Sequence, residues 1–169
     1  EQLQRWYCAP VGALSFNDNC VYLFVRGASQ PGQRPAASVE PAVRGVNLVN
    51  ACRTVGARSR AGVSFRRVGN ALTFQVSGTI RPGAASGYDV AVYNPAEYLV
   101  KAFAHVLRSE GIRIEGQPRV VGSEEVLEPA KPLYVGKGRL IDAIQVANRR
   151  SQNFYAEQIL KTLGAEKSG

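Results

Sequence analysis

Hydroxyl, carboxamide and guanidinium groups crowd one short stretch near the end of the chain, Asn148-Arg149-Arg150-Ser151-Gln152-Asn153. None of these six residues is apolar. Ser151 offers a hydroxyl that both donates and accepts, and two positions on Asn153 offers two N–H donors and one acceptor oxygen. A corner this polar between apolar stretches is either a solvated turn or the wall of a site, and spacing alone leaves both open. Other chemistries have less to draw on. His105 is the single histidine, so a Ser-His-Asp hydrolase would have to use it. It falls within a helical pattern, and no G-x-S-x-G accompanies it; it reads as a structural or surface residue. With one histidine and the scattered Cys8, Cys20 and Cys52 there is no metal-ligand spacing, and no cofactor is implied.

Two amphipathic patterns must position the corner. Leu140, Ile141, Ile144 and Ala147 recur at three- and four-residue spacing, which predicts one helix. Phe154, Ala156, Ile159, Leu160 and Leu163 predict a second, with Gly164 as its stop. Upstream the signal changes to strands. Ala13–Phe16 and Cys20–Val25 flank the turn-prone Asn17-Asp18-Asn19, which predicts a hairpin. Cys8 and Cys20 flank it, either paired as a disulfide in an oxidising compartment or, with Cys52, buried as small apolar groups. Pro31-Gly32-Gln33 marks a turn before a strand over Ala36–Val39. Val63–Arg66 and an alternating run through Leu72, Phe74, Val76 and Ile80 predict a second hairpin about Gly69-Asn70, and Tyr88, Val90 and Val92 alternate likewise. Pro82–Gly87 reads as a loop.

A helix over 95–110 has a full set of start signals. Asn94 suits the N-cap, Pro95 the first turn and Glu97 the third position, with Tyr98, Leu99, Ala102, Phe103, Val106 and Leu107 as its apolar face and Gly111 as its end. Ile112–Gly116 predicts a short strand. Beyond it the span 117–138 reads as strands and a linker, with Val120-Val121 and Leu133-Tyr134-Val135 as brief apolar runs.

Composition bounds the function classes. The chain has 169 residues, 45% of them apolar and 20% charged, enough to bury a core as one or two domains. No apolar run approaches the roughly 20 residues of a membrane helix. The net charge is +8, but the arginines are spread rather than gathered with exposed aromatics on one strip, so no nucleic-acid partner is implied. Their densest patch, Arg58, Arg60, Arg66 and Arg67, alternates through strand-like sequence with Val63 and Phe65. It reads as a solvated sheet face, with attraction to an anionic polymer as the other reading.

The longer run N-R-R-S-Q-N-F-Y-A-E-x-x-L-x-x-L-G resembles the S-x-N segment of the D-alanyl-D-alanine carboxypeptidase/endopeptidase family, the low-molecular-mass class C penicillin-binding proteins. Two further stretches are similar to the same family in the same order: W-Y-C-A-P-V-x-A-L-S-F-N-D-N-C near the start, and A-F-x-x-x-L-x-x-x-G-I-x-I-x-G around the 95–110 helix. The resemblance implies an α+β fold: a β-rich domain inserted into a penicillin-binding-protein/β-lactamase-like catalytic domain. It implies a start of the inserted domain over 1–41, a nested small antiparallel β-unit over 42–88, the remainder of the inserted domain over 89–135, and a helical part of the catalytic domain over 136–169.

What the family does is then the expectation for the parent protein: serine-type hydrolysis of peptidoglycan stem peptides ending in D-Ala-D-Ala, with acylation by β-lactams, in the periplasm or cell envelope. By the same resemblance Ser151 and Asn153 are the catalytic residues expected here. Ser151 would relay a proton between the lysines and the departing D-alanine, and Asn153 would hold a lysine and anchor the substrate backbone. Gln152 is expected to point away, and Arg149 and Arg150 to carry solvated charge. Two departures qualify this: no S-x-x-K occurs, and Lys161-Thr162-Leu163-Gly164 only imitates K-T-G. The chain is therefore read as an internal fragment, inactive alone, with the apolar faces of its last two helices partly exposed or else packed on the β-unit or a neighbouring chain. The competing reading is a non-catalytic β-rich module binding cell wall or protein, with Ser151-Gln152-Asn153 a mere turn.

Overall fold

In the computed structural model, residues 2–122 and 131–168 are described. Six strands and three helices follow one another: β1 (Cys20–Arg26), β2 (Ala36–Glu40), β3 (Asn47–Thr54), β4 (Gly62–Arg67), β5 (Thr73–Ile80), β6 (Ala85–Ala91), α1 (Pro95–Ser109), α2 (Leu140–Arg150) and α3 (Asn153–Ser168). The fold is α+β, with two three-stranded sheets ordered β2-β1-β6 and β3-β5-β4.

β1 is the middle strand of the first sheet and pairs antiparallel with both β2 and β6. Its inward positions Val21, Leu23 and Val25 are fully buried, as alternation on a half-covered sheet requires. In the second sheet β4 and β5 form the hairpin expected about Gly69-Asn70, antiparallel with Phe65 opposite Val76. The expectation of an antiparallel unit needs correcting for β3, which pairs with β5 in parallel, Leu48 opposite Phe74. Parallel neighbours are joined by a crossover, here the one that contains β4, so no local turn announces the pairing.

The core runs between the layers. Val21, Leu23, Phe74, Val90, Val92 and Tyr98 meet in one buried cluster, and Val25, Cys52, Val76 and Ile80 in a second. α1 starts as its signals require: Asn94 Oδ1 accepts the Glu97 amide at 3.2 Å, which satisfies one of the orphan donors of a helix start. Gly111, at φ 81°, follows its end. Only a narrow stripe of α1 is buried, however: Tyr98, Ala102 and Ala104. Phe103 and Val106, assigned above to the apolar face, are exposed. The Tyr98 hydroxyl donates to the Cys20 carbonyl at 3.2 Å, which fastens the helix to β1.

Several expectations fail locally. Ala13–Phe16 is not a strand, because Asn17, Asp18 and Asn19 all take left-handed φ values (52°, 51° and 54°) and turn the chain as a short 3-10 segment. β1 then finds its partners further along the chain, in β2 from Ala36 and in β6 from Ala85. Ala85–Gly87, read as loop, is the start of β6. Ile112–Gly116 and the runs at Val120-Val121 and Leu133–Val135 form no strand. Residues 123–130, part of the span read as strands and linker, lie outside the described residues. The three cysteines are free thiols, Cys20 and Cys52 buried and Cys8 half-buried.

Candidate functional site

The corner is built by two helices that share almost no linker. α2 runs through Arg150, so Asn148, Arg149 and Arg150 belong to its last turn rather than to a polar loop. Ser151 caps it in the left-handed conformation, φ 48° and ψ 46°, an uncommon position for a residue with a Cβ. Gln152 follows, and α3 begins at Asn153. α3 does not stop at Gly164 but continues to Ser168; an interior glycine costs a helix only about 1 kcal/mol, so it permits a stop without imposing one. Lys161–Gly164, the imitation of K-T-G, is therefore helical.

Ser151 and Asn153 lie at the same corner and are both exposed. The Asn153 amide donates to the Tyr7 carbonyl at 3.3 Å, which sets α3 against the 3-10 turn Trp6–Cys8. The Ser151 hydroxyl makes no hydrogen bond among the described residues. Gln152, expected to point away, does the opposite: it is half-buried, and its Nε2 donates to Asp18 Oδ2 at 2.7 Å. No motif or spacing singles out Asp18. Its setting among Asn17 and Asn19 signals only tolerance of positive φ.

α3 is seated by one aromatic anchor. Phe154 packs with Ala9, Cys20 and Ala91, with Val11 and Tyr155 alongside. Lys161 adds a bond from Nζ to the Val11 carbonyl at 3.3 Å and pairs with Glu157 at 3.1 Å. Beside Phe154 lies a cavity of about 320 Å³ between the Ser15–Asp18 segment and the helices, reached by Ala143, Tyr155 and Gln158. Gln152 Oε1 and Gln158 Oε1 are buried without a donor among the described residues. Ser151 and Asn153 do not line this cavity.

Electrostatics around the corner favour the neutral forms of its neighbours. Burial, and then the charges of Asp89 and Asp18, push the Cys20 thiol up to about 12. Burial and then Asp18 raise Tyr155 in the same direction. The helices outside the anchor remain open: no residue of α2 is buried, and Leu140, Ile141, Leu160 and Leu163 are all at least half exposed. This agrees with the expected exposure of the two apolar faces. No helix among the described residues is long and apolar enough to cross a membrane.

Two crystal structures of penicillin binding protein 4 from Haemophilus influenzae are similar in fold. One covers 95% of this chain with a TM-score of 0.67 at 20% identity. The other, a complex with a novel β-lactam, covers 89% with a TM-score of 0.62, also at 20% identity. The chain spans about a third of the length of each, 35% and 34%. No curated protein matches it. Residues 1–169 match throughout the family described as D-Ala-D-Ala carboxypeptidase 3 (S13). With that match over its whole length and the α+β architecture shared with penicillin binding protein 4, the chain belongs to the D-Ala-D-Ala carboxypeptidase S13 family.

Proposed function

We propose that this chain is the S-x-N-bearing part of a serine-type D-Ala-D-Ala carboxypeptidase or endopeptidase of the cell envelope, whose S-x-x-K and K-T-G elements lie in flanking sequence. The family match over residues 1–169 is the observation that carries the reading. In this scheme the S-x-x-K serine attacks the carbonyl of the D-Ala-D-Ala bond. D-alanine departs with a proton, and water then hydrolyses the acyl-enzyme. Ser151 passes the proton from the lysines to the leaving amine, and Asn153 uses its amide to hold a lysine and the peptide backbone. The exposure of both side chains is compatible with this, since a hydroxyl still lacking a partner is free to meet one supplied by the rest of the parent. A β-lactam acylates the same serine, and the β-lactam complex of the Haemophilus protein supports carrying that chemistry over. The second sheet, within 42–88, is the nested unit of the inserted domain, and 136–169 is the return to the catalytic domain.

The test is substitution in the full-length parent. Ser151→Ala and Asn153→Ala are expected to lower kcat for D-Ala release by about 100-fold or more and to slow acylation by a fluorescent penicillin. Unchanged release and labelling in both variants would leave the corner as a turn and the chain as a binding module. The isolated 169-residue chain is expected to take no covalent penicillin label.

A further inference from the structure

Polar contacts rather than packing hold the Ser151–Asn153 corner on its α2 side. No residue of α2 is buried, and Ser151 takes the left-handed conformation, which a residue with a Cβ keeps only where its surroundings impose it. Behind it, the Gln152 backbone amide closes onto the Ala147 carbonyl at 3.1 Å. Ahead of it, Asn153 is tied to the Tyr7 carbonyl and the Gln152 side chain to Asp18. That side chain is half-buried, and its Oε1 has no donor among the described residues. Its single hydrogen bond there is the one to Asp18. An ionised carboxylate only accepts, so this bond also decides which end of the Gln152 amide faces the turn.

Asp18 is itself firmly held. It sits between two asparagines in a run of three left-handed residues. Asn19 is fully buried. Its Nδ2 donates to the Pro10 carbonyl at 2.9 Å and to Ser15 Oγ at 3.2 Å, and its Oδ1 accepts the Phe16 amide at 3.2 Å. Its carbonyl accepts the amide of Val92, just past β6, at 2.9 Å. Asn17 Nδ2 donates to the carbonyl of Cys20, the first residue of β1, at 2.9 Å. The turn is thus fastened to the first sheet, and the Asp18 carboxylate reaches from it to the helix junction. Gln152 and Tyr155 lie three positions apart, one helical turn, and the same carboxylate bears on both: burial and then Asp18 keep the Tyr155 hydroxyl protonated.

We infer, on the peptidase reading proposed above, that Asp18 is a positioning residue for Ser151: by holding Gln152 against the sheet-bound turn it sets the backbone at Ser151, and with it the place from which the hydroxyl relays its proton. A relay must lie within hydrogen-bond reach of both proton partners, and a misplacement of about 1 Å can cost about 100-fold in rate. Asn153 has its own tether at Tyr7, so loss of the Asp18 bond bears on proton transfer more than on substrate anchoring.

Kinetics of D-Ala release by the full-length parent test this. Asp18→Ala is expected to lower kcat by about tenfold with KM within about twofold of the unaltered enzyme, at a temperature where its melting curve shows it folded. Asp18→Asn, which keeps an acceptor oxygen, is expected to restore most of that loss. Gln152→Leu removes the donor and should match Asp18→Ala, and the double variant should be no slower than either. In a Ser151→Ala background, Asp18→Ala should cost nothing further. Three results would each overturn the assignment while a slow Ser151→Ala enzyme upheld the peptidase reading: unchanged kcat in either Asp18→Ala or Gln152→Leu, a loss that Asp18→Asn does not restore, or a full additional loss on top of Ser151→Ala. Should Asp18→Ala not fold, Gln152→Leu decides by the same measure. Normal turnover by Ser151→Ala would instead sink the peptidase reading, and the role of Asp18 with it.

Discussion

Gln152 Nε2 and Asp18 Oδ2 meet at 2.7 Å across 134 positions of sequence, so the middle residue of Ser151-Gln152-Asn153 is a tether rather than a spacer. A carboxylate acceptor makes this bond stronger than one between neutral groups. Asp18→Ala is expected to cost about 1–2 kcal/mol of stability. Asp18→Asn, which keeps an acceptor oxygen, should cost less. Denaturant unfolding of the two variants side by side measures the difference, and equal stability of both with the unaltered chain would refute a tether.

Phe154 is the aromatic anchor of α3. Truncating a buried phenylalanine removes its burial and leaves a cavity, so Phe154→Ala is expected to destabilise by about 3 kcal/mol. Leu160→Ala, at a position 69% exposed on the same helix, should shift the melting temperature little. A comparable loss from both would mean that α3 is held elsewhere.

Gly78 lies in β5 at φ 100°, in a region that residues with a Cβ avoid. An added Cβ would also run into the backbone carbonyl of Gly62 on β4. Gly78→Ala is therefore expected to cost at least about 2 kcal/mol, readable as a lowered denaturant midpoint. Gly32→Ala offers the control, because its φ is also positive but nothing crowds it.

Cys20 gives a pH dependence with a definite sign. Its thiol is raised from 9.0 to about 12 by burial and by Asp89 and Asp18, so the folded chain keeps a proton that the unfolded chain loses first. The stability linked to this group is fully present below 9.0 and is lost as pH rises through 12. Cys20→Ala should flatten the alkaline decline in stability. Iodoacetamide at pH 8.5 is expected to label the half-buried Cys8 before Cys20 in the native protein, and all three thiols after unfolding.

What was legible in the sequence was what neighbours in the chain decide. Asn94, Pro95 and Glu97 announced α1, and Gly69-Asn70 between alternating runs announced β4 and β5, because caps and tight turns are settled by a few adjacent residues. The Ser151–Asn153 corner was located for the same reason. What escaped was settled at a distance. The parallel pairing of β3 with β5 has no turn of its own. The bond from Asp18 to Gln152 joins a loop to a helix junction far along the chain. Ala13–Phe16 had strand composition, yet the three left-handed residues after it leave no room for a hairpin. The two apolar patterns flanking the corner predicted helices correctly but said nothing of how little of α2 would be covered.

A helix with no buried residue has little beyond its own backbone and its partner helix to resist fraying, and eleven residues fall short of the roughly 12–15 at which isolated helices become even marginal in water. Amide protons over Leu140–Arg150 should therefore exchange with deuterium through small openings, long before those of β1 and β5 are released by global unfolding.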